Sequence, residues 1–324
     1  MSEAPSNTPA LPAAGLKSEN PKSELASPSA RAWRRFRRNK PAMASLVFLA
    51  VLAALVVFWP LVSPHAPNAT SDTHLQPPGG ENWFGTDANG RDLLARVLFG
   101  ARVSLLVGVV GAGVALVIGV AWGAVSGYVG GRLDALMMRI VDVLYTLPSI
   151  ILVIVLLTAL GSTGKAWAAK HFGQQAAALT PMVLLFVGIG AVTWLTLARI
   201  VRGQVLSLRT RAFVDASRSL GASHARILWR HILPNVWGIV IVYLTLTVPS
   251  VILYESFLSY LGLGIQPPMA SWGSLVAEGA AQINPIHIHW WLLVFPSVLL
   301  VTTLLALNFL GDGLRDALDP RGER

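Results

Sequence analysis

Residues 161–165 read GSTGK, the most enzyme-like string in the chain. A phosphate-binding loop needs four residues between its glycines and a Ser or Thr after the Lys. Here two residues intervene and Ala166 follows, so the segment reads as an external loop and not as a nucleotide site. His287 and His289 stand two apart before Trp290 and Trp291; with no third ligand nearby, an aromatic belt at a membrane interface accounts for them better than a metal. The chain has no Cys, which removes thiol nucleophiles, Cys-ligated zinc and iron–sulfur clusters. Neither a catalytic role nor a cofactor is expected.

The elements around these residues are apolar. Of 324 residues 54% are hydrophobic and 13% charged, about half the charge of a typical soluble domain. Six stretches are free of Asp, Glu, Lys and Arg: 42–62, 103–125, 143–161, 179–198, 236–254 and 291–310. Each can cross roughly 30 Å of hydrocarbon as a helix, so the fold class is an all-α membrane protein with six transmembrane helices. Between the spans, 20 of the 25 Lys and Arg fall on one side. By the positive-inside rule both termini are then cytoplasmic. The net charge of +9 is thus topological, and nucleic-acid binding loses its main support.

No span holds a midplane carboxylate, His or Lys of the kind that couples ions in secondary transporters. Any passage is therefore either passive or opened from outside the membrane. Positions 111, 115, 119, 123, 127 and 131 form a small-residue ridge at i, i+4 spacing, which lets another helix approach closely within the subunit or from a partner. Pro148, Pro249 and Pro296 interrupt three spans and permit bends.

The organisation expected is a disordered cytoplasmic tail (1–30), a basic juxtamembrane segment with the first helix (31–62), and an external segment (63–102). A core transmembrane domain (103–310) and a cytoplasmic C-terminal tail (311–324) follow. In the basic segment Trp33 and Phe36 suit the lipid interface. Within the external segment lies FGTDANGRD: Phe84, Gly85, Thr86, Asp87, Ala88, Asn89, Gly90, Arg91 and Asp92. Asn89–Gly90 is a turn signal, Asp92 an N-cap for a helix from Leu93, and Asp87 a partner for Arg91. A structural turn and a contact with an external partner are the two readings. The external segment 255–284 has no Lys or Arg and suits either an outer gate or a docking surface.

The 199–235 connection is too long and too apolar to be a plain loop. Phe213, Val214 and Leu220 fall on one helix-spaced stripe, and Ile227, Leu228 and Ile232 on a second that Pro234 ends. Two short helices joined at Gly221 are expected, either as a docking element or as an amphipathic cover on the bilayer.

This connection resembles the EAA signature of permease subunits of bacterial ATP-binding-cassette importers, in the dipeptide, oligopeptide and nickel group. The signature reads E-A-A, three residues, G, nine residues, I-x-L-P. Here it stands as Asp215, Ala216, Ser217, then Gly221, then His231, Ile232, Leu233 and Pro234. Asp replaces Glu, Ser the second Ala, and His the first Ile. FGTDANGRD and the stretches 126–142, 259–273 and 308–320 match the family in order, so the resemblance runs from about Arg31 to Arg321.

The resemblance implies a type I importer permease fold in the bacterial inner membrane, non-hydrolytic and without cofactor. It implies a coupling helix near 215–223 seated in a groove of a cytoplasmic ATPase, where small Ala216 and Ala222 allow close approach. The implied partners are a homologous second permease in a heterodimer, two cytoplasmic ATP-binding subunits, an external or periplasmic substrate-binding protein and membrane lipid. The implied cargo is di- or oligopeptides, the alternatives being nickel chelates or opine-type solutes, or a passive channel.

Overall fold

The computed structural model describes residues 28–62, 65–283 and 287–318; the tail expected over 1–30 lies, up to residue 27, outside them. The elements are α1 (Pro28–Arg38), α2 (Lys40–Val62), α3 (Leu93–Val129), α4 (Gly131–Thr146), α5 (Ser149–Phe172), α6 (Gln174–Leu208), α7 (Ala212–Ser219), α8 (His224–Ile227), α9 (Leu233–Tyr260), α10 (Trp272–Ala281) and α11 (Trp290–Leu318). A π-helical turn, Leu228–Ile232, joins α8 to α9. Six helices are long and apolar enough to cross a membrane, and no strand occurs among the described residues.

Helix α3 is the spine. At 37 residues it is about 55 Å long, well beyond the hydrocarbon thickness, and it starts ten residues before the charge-free stretch because Arg96 and Arg102 lie within its first turns. Its N-cap, Asp92, accepts from the Ala95 amide at 2.8 Å, satisfying one of the helix's orphan donors. It packs along α6 and α9, and the small-residue ridge is the reason. A Cβ on Gly123 would stand 2.4 Å from the Ala198 carbonyl of α6, and one on Gly111 2.7 Å from Val251 of α9. The ridge therefore serves packing within the chain. Gly131, its last member, lies in the exposed turn into α4 and takes no part.

Two apolar clusters sit at opposite ends. One gathers Val56 of α2, Val97 of α3, Ile252 of α9, Trp272 of α10 and Trp291 of α11. The other gathers Ala124 of α3, Val201 and Val205 of α6, Val214 of α7, Ile227 of α8, and Ile232 and Val236 around α9.

Several expectations change. GSTGK is not a loop: it lies inside α5, where Gly164 lets α5 close on Thr180 and Leu184 of α6, and packing overrides the weak helix propensity of Gly, Ser and Thr. The hairpin turn falls instead at Gly173, with φ +87°. Segment 255–283 is not a plain loop, since α9 runs to Tyr260 and α10 starts at a Ser271–Ser274 capping box; residue 284 lies outside the described residues. Pro148 caps α5, whereas Pro249 and Pro296 lie inside unbroken helices. Residues 311–318 continue α11. Phe36 is buried against Ala42 and Ala317 and not held at a lipid interface; Trp33 is exposed and stacks on it.

Candidate functional site

At the end of the molecule where α3 and α6 finish, α7 and α8 form a small hairpin. Leu220 closes α7, Gly221 turns the chain with φ +76°, and the Ser223 hydroxyl caps α8 by accepting from the Arg226 amide at 3.4 Å. The positive φ favours glycine for want of a Cβ. A Cβ there would meet no atom of the chain within 4 Å, so Gly221 faces open space.

The hairpin is bolted to the bundle on one side only. Val214, Ile227 and Ile232 are fully buried against Val201, Val205 and Val236. Tyr128 Oη lies 2.9 Å from His224 Nδ1. The opposite side displays Leu220 at 87% exposure, Trp229 at 70% and Phe213 at 40%. The expected stripe of Phe213, Val214 and Leu220 thus splits: Val214 faces inward and its two companions outward, because in a helix only eight residues long one side suffices for anchoring. Asp215 is exposed and pairs with Arg218 at 3.4 Å within the helix, while Ala216 is exposed and Ser217 returns its hydroxyl to the Phe213 carbonyl. Ala222 packs against the buried cluster.

Pro234 does not end the helix. Residues 224–260 run on as one rod: the π turn has i→i+5 bonding, which relieves the clash and the missing N–H that proline imposes on α geometry. His231 and Leu233 lie in and beside this turn, His231 half-buried and Leu233 buried, and Pro234 is exposed.

Ion pairs that the motifs did not reveal clamp α4 to α6 beside the hairpin. Asp134 receives Arg202 in a bidentate pair at 2.5 and 2.7 Å and also the Ser126 hydroxyl. Hydrogen bonds from Arg202 hold its carboxyl below the usual carboxylate range against the opposing effect of burial. Asp142 pairs with Arg199 at 2.8 Å, whose guanidinium lies 4.0 Å above the Tyr145 ring. Arg209 donates to the Gly127 and Tyr128 carbonyls. A Cβ on Gly130 would strike it.

The FGTDANGRD segment lies at the other end, folded onto the start of α3. Asp87 accepts from the Asn89 and Arg91 amides at 2.8 and 2.9 Å, from Arg91 Nε at 2.6 Å and from Arg96 at 2.7 Å. Arg96 reaches on to Glu278 of α10 at 3.0 Å. Phe84 stacks on Phe295 at 4.0 Å, and the Thr86 hydroxyl donates to the Thr73 carbonyl at 2.6 Å. Gly85 and Gly90 both take positive φ where a Cβ would strike backbone. Burial pushes the Asp92 carboxyl upward, partly offset by its bond from Ala95. The segment's side chains are largely spent on internal contacts.

Sequence reasoning also missed Glu255. It is fully buried in α9 and accepts from Ser104 at 3.0 Å and Ser259 at 2.6 Å. Ser104 Oγ accepts in turn from the Trp272 amide at 3.2 Å, so α3, α9 and α10 meet on one carboxyl. It lay one residue beyond a charge-free stretch, and nothing local pointed to Ser104, 151 residues away.

Residues 119–324 match the family of binding-protein-dependent transport system inner membrane components, and residues 27–78 the N-terminal transmembrane domain of oligopeptide transport permease C. The chain is 47% identical over 291 residues to the oligopeptide transport system permease protein OppC of Haemophilus influenzae, covering 89% of this chain and 87% of the relative. It is 45% identical over 294 residues to the dipeptide transport system permease protein DppC of Bacillus subtilis, covering 90% and 86%. In fold it resembles the inward-facing MetNI methionine ABC transporter, with a TM-score of 0.51 at 23% identity, covering 70% of this chain and 98% of that one. With six spans, a hairpin bolted to one end of the bundle and matches along nearly its whole length, the chain belongs to the binding-protein-dependent transport system inner membrane components, as a multi-pass permease of the ATP-binding-cassette importers.

Proposed function

We propose that this chain is one of two permease subunits of an ATP-driven importer that carries di- or oligopeptides into the cell. A homologous second permease completes the passage, an external binding protein delivers the peptide, and two ATP-binding subunits supply the energy from the cytoplasm. The identity of 45–47% to oligopeptide and dipeptide permeases over about nine tenths of the chain carries this reading. The α7–α8 hairpin supplies the physical link: its inner side is fixed to α3, α6 and α9, and its outer side offers Leu220, Phe213 and Gly221 to a partner. Residues fixed on one side and unpartnered on the other transmit a push as rigid-body motion. In this arrangement both termini are cytoplasmic, and FGTDANGRD braces the external end.

The chain itself hydrolyses nothing. The purified subunit is expected neither to bind nor to hydrolyse ATP, with hydrolysis and peptide uptake appearing once the ATP-binding subunits, second permease and binding protein are added in proteoliposomes. Stoichiometric nucleotide binding by this chain alone would overturn the division of labour.

A further inference from the structure

Among the described residues a furrow of about 360 Å³ opens between the start of α5 with the end of α4, the middle of α6, and α9. Eight of its eleven lining residues carry a hydroxyl, the others being Val192, Leu195 and Leu246. Along α9, Tyr243, Thr247, Ser250 and Tyr254 follow at i, i+4, i+7 and i+11, one face of the helix. Thr193 and Thr196 of α6 face them. Ile241, on nearly the opposite side of α9, is apolar and exposed, as a lipid-facing position should be.

Hydroxyls within a membrane span face either other helices or water. Here Thr193, Thr247 and Ser250 each donate to a carbonyl of their own helix, at 3.1, 2.7 and 3.2 Å. That leaves their oxygen lone pairs free to accept. The phenol hydroxyls of Tyr243 and Tyr254 have no hydrogen-bond partner among the described residues and are free to donate. The furrow thus offers acceptors and donors together along about 16 Å of helix, the span of about five residues of extended peptide. No charged side chain lines it; Arg199, above the ring of Tyr145 at one edge, is neutralised by Asp142.

From this geometry we infer that the furrow is the wall of this chain against which a peptide's main chain slides, its N–H and C=O groups exchanging water for the hydroxyls of α6 and α9. This deepens the reading of the chain as a peptide permease and rests on it. Every peptide residue other than proline presents the same donor and acceptor, so a hydroxyl-lined wall holds the backbone largely without regard to side chain. A charged wall would trap peptides of opposite charge. Weak, exchangeable bonds suit passage, where binding has to permit departure.

The chain's lack of Cys makes the test direct. In the assembled transporter, with second permease, ATP-binding subunits and binding protein, Thr247→Cys and Ser250→Cys should react with a small water-soluble methanethiosulfonate at least about tenfold faster than Ile241→Cys, and trialanine should slow that reaction. The shape-preserving pair Thr247→Val with Ser250→Ala should lower maximal uptake of trialanine and trilysine by a similar factor, about fivefold for one lost hydrogen bond. The half-saturating concentration, set by the binding protein, should stay unchanged. Equal reactivity at 250 and 241 would mean that a partner helix or lipid covers the furrow, and would overturn the inference. So would an unaltered uptake rate at normal membrane abundance, or an effect on one peptide alone. If the unmodified assembly imports no peptide, the proposed function falls, while the labelling contrast still decides whether the furrow holds water.

Discussion

Gly221 is the sharpest test of the hairpin's role. Its φ of +76° lies where a β-branched residue is strained, and such a conformation costs about 1–3 kcal/mol. No atom of this chain lies within 4 Å of the position a Cβ would take, so Gly221→Val overpacks nothing and the bundle should insert at normal abundance. The strain acts on the hairpin's shape. Val214 and Ile227 hold the two short helices in place, and the turn between them has to distort or the chain has to hold it strained. If the ATP-binding subunit recognises the undistorted turn, 1–3 kcal/mol weakens its association by about fivefold to about 150-fold. Gly221→Asn separates backbone from bulk, because Asn tolerates positive φ better than Val. Its affinity should fall between those of glycine and valine. Association measured in detergent or nanodiscs, with uptake in parallel, reads the result. Unchanged affinity and uptake in Gly221→Val would refute the coupling role, leaving a membrane-surface cover as the better account.

Single Cys residues at 165 and 278 should label from outside intact cells, and those at 218 and 318 only after permeabilisation; labelling at 218 from outside would invert the topology. Gly123→Val places a side chain against the Ala198 carbonyl and should cost about 1–3 kcal/mol of stability, seen as a lower thermal midpoint in detergent, whereas Gly131→Ala meets no neighbour and should be tolerated far better despite its positive φ. Asp134→Asn breaks the pair with Arg202 and should destabilise by about 1–3 kcal/mol. Arg202 holds the Asp134 carboxyl below its ordinary value of 3.8. The pair's contribution is therefore present above that value and lost as pH falls through the lower folded one. The difference between variant and parent should be flat from about pH 5 to about pH 8 and shrink only in stronger acid.

The six spans and the glycine-centred hairpin were legible because both are local patterns: charge-free length in one case, and apolar spacing around a turn residue in the other. What escaped was either hidden by the charge criterion or long-range. Arg96 and Arg102 lie within α3, and Lys165 within α5, so a rule seeking charge-free runs drew those helices too short. The partners Asp134 and Arg202 stand 68 residues apart, and Glu255 meets Ser104 across 151; no spacing rule links them. Val214 and Phe213 are neighbours of equal apolarity, and only the location of the bundle decides which one is buried.

The π turn at Leu228–Ile232 has a consequence for chain length. Each α-helical residue advances the helix by about 100°, while a π turn absorbs one additional residue between flanks that stay aligned. The nine residues between Gly221 and His231 therefore act as a phase setting. Removing one can be taken up by the π turn, which reverts to α geometry with its flanks still aligned; removing a second, with the hairpin still bolted at Val214 and Ile227, would turn everything from Leu233 to Tyr260 by about a quarter revolution. Tyr243, Thr247, Ser250 and Tyr254 would swing away from Thr193 and Thr196, and Glu255 would leave its serines. In this rod, the fixed spacing behind the glycine is an angular coordinate.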